Sequence, residues 1–238
     1  ITGKAFEKVL AFVKPGVFEY EVEAEIIHTF IALGANGHAY EPIVASGANA
    51  IYLHYNKNDQ RCKEGDLVLL DFGAEYANYA SDLSRTVPVS GRFTPRQKQC
   101  YDAVADVMEQ AIKLMQPGTT IDLIQKEVCK LIEIKLLELN LISFNDIKIQ
   151  DPAKPAYQQY FMHGVSHFMG LDVHDLGSKQ ALLKPGMIIT CEPGIYIKEE
   201  GIGIRIENDI LITEDGQVDL MQHIPYKANE IEELMNSK

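Results

Sequence analysis

Apolar residues recur at Phe6, Val9, Leu10 and Val13, the spacing of one helical face, and Lys14-Pro15-Gly16 ends the run, so a helix is expected from Lys4 to about Val13. A second stripe, Val22, Ile26, Ile27, Phe30 and Ile31, predicts a helix from about Tyr20 to Leu33, stopped by Gly34. The period then changes. Around Gly47-Ala48-Asn49-Ala50 the pattern is strand and turn, and Leu67 to Phe72 is an apolar run ending in an acid, as in a strand buried on both faces. Asn78 to Val89 reads as a return strand. Thr94-Pro95 supplies a hydroxyl cap and a proline at the first helical position, and an amphipathic pattern follows to Met115. A further helix spans roughly Ile121 to Leu139, after Pro117-Gly118. Beyond an irregular polar and aromatic stretch from Asn145 to Phe161, strands are expected at Met187 to Cys191, Ile195 to Lys198, Gly203 to Ile206 and Ile210 to Thr213.

This order repeats. Pro15-Gly16 aligns with Pro117-Gly118, each between two helices, and Gly65 aligns with Gly186, each opening a buried strand. On that alignment Asp71 falls on Glu192, so an acid ends the equivalent strand in both halves. Two α+β halves related by a pseudo-twofold axis would bring acids from both to one place.

Asp71 and Asp82 flank a strand-turn-strand segment; as an isolated pair they would read as exposed strand-end acids, but Asp71 follows Leu67-Val68-Leu69-Leu70. An ionised acid in that setting must be paired or bind a cation. Glu192 and Glu207 are expected inside apolar strands, and four inward carboxylates repel one another unless divalent metals sit between them. The bland reading of Glu207 is a salt bridge to Arg205, although Arg205 could equally support a ligand from behind. His163, His167 and His174 lie among glycines and apolar residues in the longer second half, which reads as an inserted site, while His54 stands alone. His163 and His167 are four apart with no Glu at 164, so the helix-borne zinc protease motif is absent. There is no glycine-rich phosphate loop followed by Lys, and no serine in a nucleophile elbow.

Composition narrows the class further. The chain has 238 residues with 22 Lys+Arg against 34 Asp+Glu, a net charge of −12 that repels phosphate backbones, and its basic residues form no stripe with aromatics, so nucleic acid is not an expected partner. No apolar run reaches the roughly 18 residues of a membrane span, so no membrane partner is expected. Cys62, Cys100, Cys129 and Cys191 show no paired spacing, which suits a reducing cytoplasm. The opening Ile1-Thr2-Gly3-Lys4 has neither an initiator Met nor a signal-peptide order.

Asp71, Asp82, His167, Glu192 and Glu207, in this order and in their local contexts, resemble the five metal ligands of the pita-bread metallopeptidases, which include methionine aminopeptidase, prolidase and Xaa-Pro aminopeptidase. The stretches His163 to His167, Glu192 to Tyr196 and Gly203 to Glu207 resemble the proline-peptide branch, and the Gly170-Leu171-Asp172-Val173-His174 run resembles its Xaa-Pro aminopeptidases. The resemblance covers nearly the whole chain. It implies an α+β pita-bread fold, two pseudo-symmetric halves around a central curved antiparallel sheet flanked by helices, with residues 1–238 as one catalytic domain. It also implies that the family's preceding amino-terminal domain is missing from this sequence, and that a homodimer is a natural assembly.

By the same resemblance Asp71 would bind one metal ion, Asp82 and Glu207 would bridge two, and His167 and Glu192 would complete the other site. Four carboxylates and one imidazole suit Mn²⁺, the branch's usual ion, with Co²⁺ or Zn²⁺ as alternatives. A hydroxide bridging the two ions would attack the carbonyl before a second-position proline, with Glu192 passing the proton to the leaving nitrogen. His54, His163 and Arg205 match positions that shape the proline pocket, and His174 and Tyr196 match positions that stabilise the oxyanion. The expected activity is removal of an amino-terminal residue that precedes proline. The alternatives are an Xaa-Pro dipeptidase and a non-catalytic peptidase-like binding module.

Overall fold

The computed structural model describes residues 1–237. The first half opens on α1 (Thr2–Phe12) and α2 (Glu19–Ala32), which bury Ala5, Phe6, Val9 and Leu10 against Val22, Ile26 and Phe30. Its strands are β1 (Gly37–His38), β2 (Ile43–Ser46), β3 (Leu67–Phe72), β4 (Ala74–Tyr76), β5 (Tyr79–Ala80) and β6 (Leu83–Pro88). The second half opens on α3 (Pro95–Leu114), α4 (Ile121–Glu138) and a short α5 (Phe144–Ile149). It continues with β7 (Phe168–Met169), β8 (Ile188–Cys191), β9 (Gly194–Ile197), β10 (Ile202–Arg205), β11 (Asn208–Thr213) and β12 (Gly216–Asp219), and α6 (Ala228–Asn236) closes the chain.

The duplication read from the sequence is visible in the topology. The first half forms an antiparallel sheet in the order β2-β3-β6, and the second repeats it as β7-β8-β11 with β12 added at the edge. The paired turns match as well: Gly65 and Gly186 open their strands at φ +83° and +89°, left-handed values that glycine adopts without a Cβ penalty. Helix starts follow local chemistry. Thr94 Oγ1 accepts from the Gln97 amide at 3.2 Å while Gln97 Oε1 accepts from the Thr94 amide at 2.9 Å, a reciprocal cap on α3.

Every residue of β3 and β6 is buried. The two halves are locked together behind them by Arg85, which is fully buried on β6. Its guanidinium donates to the Glu207 carbonyl at 2.7 Å, to Asn208 Oδ1 at 2.8 Å and to the Pro225 carbonyl at 2.9 Å. Burial pushes it down to about 10, which still leaves it charged at neutral pH.

The strand and turn expected around Gly47 are the end of β2 and a 3₁₀ turn at Gly47–Ile51. Three other local expectations are corrected. The stretch expected to be irregular from Asn145 holds most of α5, started by the Ser143 side chain, and a 3₁₀ turn at Ala156–Gln159. The return strand from Asn78 is interrupted: β5 ends at Ala80, and Ser81 and Asp82 lie outside β6. Glu192 and Glu207 sit just past the ends of β8 and β10 instead of inside them.

The interruption has a steric cause. A Cβ on Gly73 would fall 1.6 Å from the Ser81 carbonyl oxygen, so only glycine lets the two chains approach where Asp71 and Asp82 converge. Gly73→Ala is therefore expected to cost about 3 kcal/mol or more, the upper end for overpacking against backbone. In a domain of this size that lowers Tm by roughly 6–12 °C, measurable by calorimetry.

Candidate metal centre

A cavity of about 360 Å³ opens where the two half-sheets meet, and nine of the ten residues singled out from the sequence line it: His54, Asp71, Asp82, His163, His167, His174, Glu192, Arg205 and Glu207. Tyr196 is the exception. It is 1% exposed and stands behind the wall, so its hydroxyl acts on the lining and not on the cavity itself.

Asp71 arrives on β3, paired with Ile43 on one side and Ser84 on the other. Its Oδ1 accepts from the Tyr40 hydroxyl at 2.5 Å and its Oδ2 from Arg205 Nη2 at 2.5 Å. Asp82, released from the ladder by the interruption, shares the same Tyr40 hydroxyl at 2.5 Å and places Oδ2 3.4 Å from His167 Nε2. His167 immediately precedes β7, its amide bonded to Thr190 Oγ1 at 3.1 Å. Its Nδ1 lies 3.1 Å from the Phe168 carbonyl, which accepts from Nδ1–H and leaves Nε2 directed at the carboxylates; although burial opposes it, the facing Asp82 and Glu192 raise the ring's pKa. Glu192 Oε1 is 3.8 Å from that Nε2, and its Oε2 is 3.6 Å from His163 Nδ1.

Glu207 crosses from the second half to the first: its amide donates to the Ser84 carbonyl at 3.0 Å and its Oε2 accepts from Ser84 Oγ at 2.7 Å. Its Oε1 is buried and has no hydrogen-bond partner among the described residues. Asp82, His167 and Glu207 each offer a ligand atom, all within 4.8 Å of one another. Asp71 and Glu192 lie outside this tight group but line the same cavity, Asp71 tied back by Arg205 and Tyr40.

The electrostatics are those of a site short of positive charge. Burial, then Asp82, Glu192 and Asp71, hold the Glu207 carboxyl well above its ordinary range, and burial pushes Glu192 up to about 7. The residues therefore fit divalent cations: an orphaned buried carboxylate oxygen, converging acids and one imidazole lone pair are a hard-ion donor set.

Arg205 pairs with Asp71, not with Glu207 as the bland reading held. Its Nη1 donates to the Tyr196 hydroxyl at 2.8 Å and its Nε to Ser84 Oγ at 2.9 Å. Tyr196 Oη lies 2.9 Å from His163 Nε2, while His163 Nδ1 lies 2.8 Å from the Gly164 carbonyl. The carbonyl fixes the proton on Nδ1, so Tyr196 donates to Nε2 and the imidazole is neutral. Burial, reinforced by Arg205, pushes His163 down to about 4. His174 packs edge-on against His167, ring centroids 4.3 Å apart.

Sequence reasoning missed Tyr40 and Ser84. Ser84 had a signal, because it follows Asp82 by two along an extended chain and shares its face. Tyr40 had none; its partners lie 31 and 42 residues downstream.

Residues 1–214 match the profile described as metallopeptidase family M24. The Xaa-Pro aminopeptidase of Escherichia coli K12 is 42% identical over 99% of this chain and 56% of its own length, and human Xaa-Pro aminopeptidase 3 is 38% identical over 98% of this chain and 48% of its own. The chain thus spans about half the length of these curated relatives. Zinc-substituted E. coli aminopeptidase P in complex with product superposes with a TM-score of 0.93 at 41% identity, covering 98% of this chain and 56% of that one. The pita-bread fold follows from this likeness and from the duplicated half-sheets, and the chain belongs to metallopeptidase family M24.

Proposed function

We propose that the chain is a dinuclear metallo-aminopeptidase that removes an amino-terminal residue preceding proline, with residues 1–238 acting as one catalytic unit in the cytoplasm. The observation that carries this reading is the orphaned Glu207 oxygen, buried among Asp71, Asp82, Glu192 and His167 in a cavity that also holds His54, His163 and His174. The likeness to enzymes named Xaa-Pro aminopeptidase supports the substrate class.

Asp71, Asp82, His167, Glu192 and Glu207 would hold two divalent ions, Mn²⁺ first, with Asp82 and Glu207 shared between them. Such ions, when bound, supply a water of lowered pKa and polarise a substrate carbonyl. The chain's own residues do the rest. Glu192, with one oxygen toward His167 and the other toward His163, can take a proton and return it to the leaving proline nitrogen. Arg205 is immobilised by Asp71, Tyr196 and Ser84, so Tyr196 acts as a positioning residue that holds His163 neutral and directed at the cavity. His54, His163 and Arg205 orient the peptide, His174 faces the developing oxyanion beside His167, and Ile43, Leu53 and Val173 give the proline ring an apolar wall.

The first test is hydrolysis of Arg-Pro-Pro, Ala-Pro and a methionyl tripeptide without proline, by metal-stripped protein with and without added Mn²⁺. Arginine released from Arg-Pro-Pro only with metal is the expected result. Cleavage of Ala-Pro alone moves the reading to a dipeptidase, and no metal uptake sinks it.

Asp82→Ala and Glu207→Ala, which remove the shared carboxylates, are each expected to empty both sites by elemental analysis. Metal at a hundred times Kd should stabilise the wild-type protein by about 2.7 kcal/mol. In a domain of this size that raises Tm by roughly 5–11 °C. Neither variant should show that rise, and full metal content with full activity in either would overturn the sharing.

A further inference from the structure

Glu19 does not line the cavity above and belongs to no part of the site, yet it is fully buried and has the most heavily bonded side-chain carboxylate among the described residues. Oε1 accepts from the Ser46 amide at 2.7 Å, from Ser46 Oγ at 2.7 Å and from Asn49 Nδ2 at 3.0 Å. Oε2 accepts from the Tyr55 hydroxyl at 2.7 Å and from the Gln60 amide at 2.9 Å. The Glu19 amide returns a bond to the Gln60 carbonyl at 2.9 Å. All five donors come from residues 46–60: two from Ser46 at the end of β2 and three from the segment between β2 and β3 that carries His54.

Apart from this carboxylate, the segment's main polar anchor is the buried Asn58, which bonds the Val44 amide, the Pro42 carbonyl and Glu23 Oε2. Beyond the 3₁₀ turn at Gly47–Ile51 the segment contains no helix or strand, and His54 makes no side-chain hydrogen bond of its own among the described residues. Its ring is exposed, so where it can reach along the cavity wall depends on the backbone that carries it. Tyr55, the next residue, packs with Leu53 against Ile43, Ala45, Ala50, Leu69 and Tyr196, a small apolar cluster under the cavity floor. The opposite side is closed by β10, since a Cβ on Gly203 would fall 2.3 Å from the Ala50 carbonyl oxygen.

We infer that Glu19 is a positioning residue: its carboxylate, anchored in the first turn of α2, sets the His54-bearing segment against the cavity, and the contribution of His54 to substrate orientation depends on it. This rests on the function proposed above. A buried carboxylate with five donors is a costly group to disturb, because each donor it releases is left unsatisfied out of water. In Glu19→Gln an amide replaces one oxygen, and if it faces the Gln60 N–H two donors oppose each other. The segment should shift without detaching, because Asn58 still bonds the Val44 amide at 3.0 Å and the Pro42 carbonyl at 2.8 Å.

The test is a double-mutant cycle on the metal-loaded protein, joined to hydrogen exchange. Glu19→Gln is expected to lower kcat/KM for Arg-Pro-Pro about tenfold to a hundredfold, mainly in kcat, the scale of an ångström-sized misplacement. Metal content should not change. In a His54→Ala background the same substitution should cost no more than about twofold, because the group it acts through is gone. Amides of residues 47–60 should exchange faster in Glu19→Gln while Leu67–Phe72 keep their protection, a readout that requires no turnover. Losses that multiply in the double variant overturn the inference, as does a Glu19→Gln enzyme with wild-type rate and exchange; in either case the proposed function stands. If the wild-type protein cleaves no Xaa-Pro peptide, that function fails and the inference falls with it. Should Glu19→Gln not fold, Tyr55→Phe removes one of the five donors to the carboxylate, together with a longer 3.3 Å contact to the exposed Asp59, and is expected to act in the same direction, again without added cost in the His54→Ala background.

Discussion

Four carboxylates held out of water around one cavity repel one another, and the structure is arranged around that fact. Glu207 carries the strain most plainly: one oxygen is satisfied by Ser84, the other by nothing among the described residues, and three acids share its surroundings. Left alone, such a group takes up a proton. The protein invests a rigid frame in keeping it there, with every position of β3 and β6 buried and Arg85 holding the Glu207 carbonyl from behind. Because the frame resists collapse, the repulsion is available to bind cations.

The duplicated architecture is what makes such crowding reachable. Each half brings acids to the end of a buried strand, Asp71 beyond the middle of β3 and Glu192 just past β8, so neither half alone concentrates the charge. The halves are not equivalent, however. The first contributes Tyr40, which ties two carboxylates through one hydroxyl, and the second contributes the three histidines of the longer stretch before β8.

What the sequence made legible follows from range. Both helical pairs, their Pro-Gly stops, the α3 cap and the doubly buried strand at Leu67 depend on neighbours within a few residues, and their positions were readable to within about two residues. The interruption before Asp82 was not, because its cause is the approach of Gly73 to Ser81 across a hairpin. Glu192 and Glu207 were legible only in part: their strands could be bounded at Cys191 and Ile206, but that both acids turn out of the ladder into one cavity depends on pairing and crossings far along the chain, such as the Glu207 amide on the Ser84 carbonyl. Glu19 was invisible as well. It looks like an ordinary acid in a first helical turn until Ser46, Asn49, Tyr55 and Gln60, 27 to 41 residues away, fold back onto it.

Charge balance explains why two ions suit this cavity better than one. Asp71, Asp82, Glu192 and Glu207 contribute four negative charges when ionised, and Arg205 returns one positive charge through its pair with Asp71. Among the cavity-lining histidines, His163 and His174 are held neutral by burial and add nothing. One divalent ion would leave the lining with a net negative charge, which opposes the development of an oxyanion on a substrate carbonyl. Two would bring the lining to a single positive charge, which offsets the attacking hydroxide, so no net negative charge would oppose the oxyanion in a site of low dielectric. The same arithmetic gives Arg205 its importance. Without it the two ions and four carboxylates would merely cancel and the hydroxide would leave the lining negative, so the guanidinium that locks Asp71 and Tyr196 in place also supplies the charge that offsets the nucleophile.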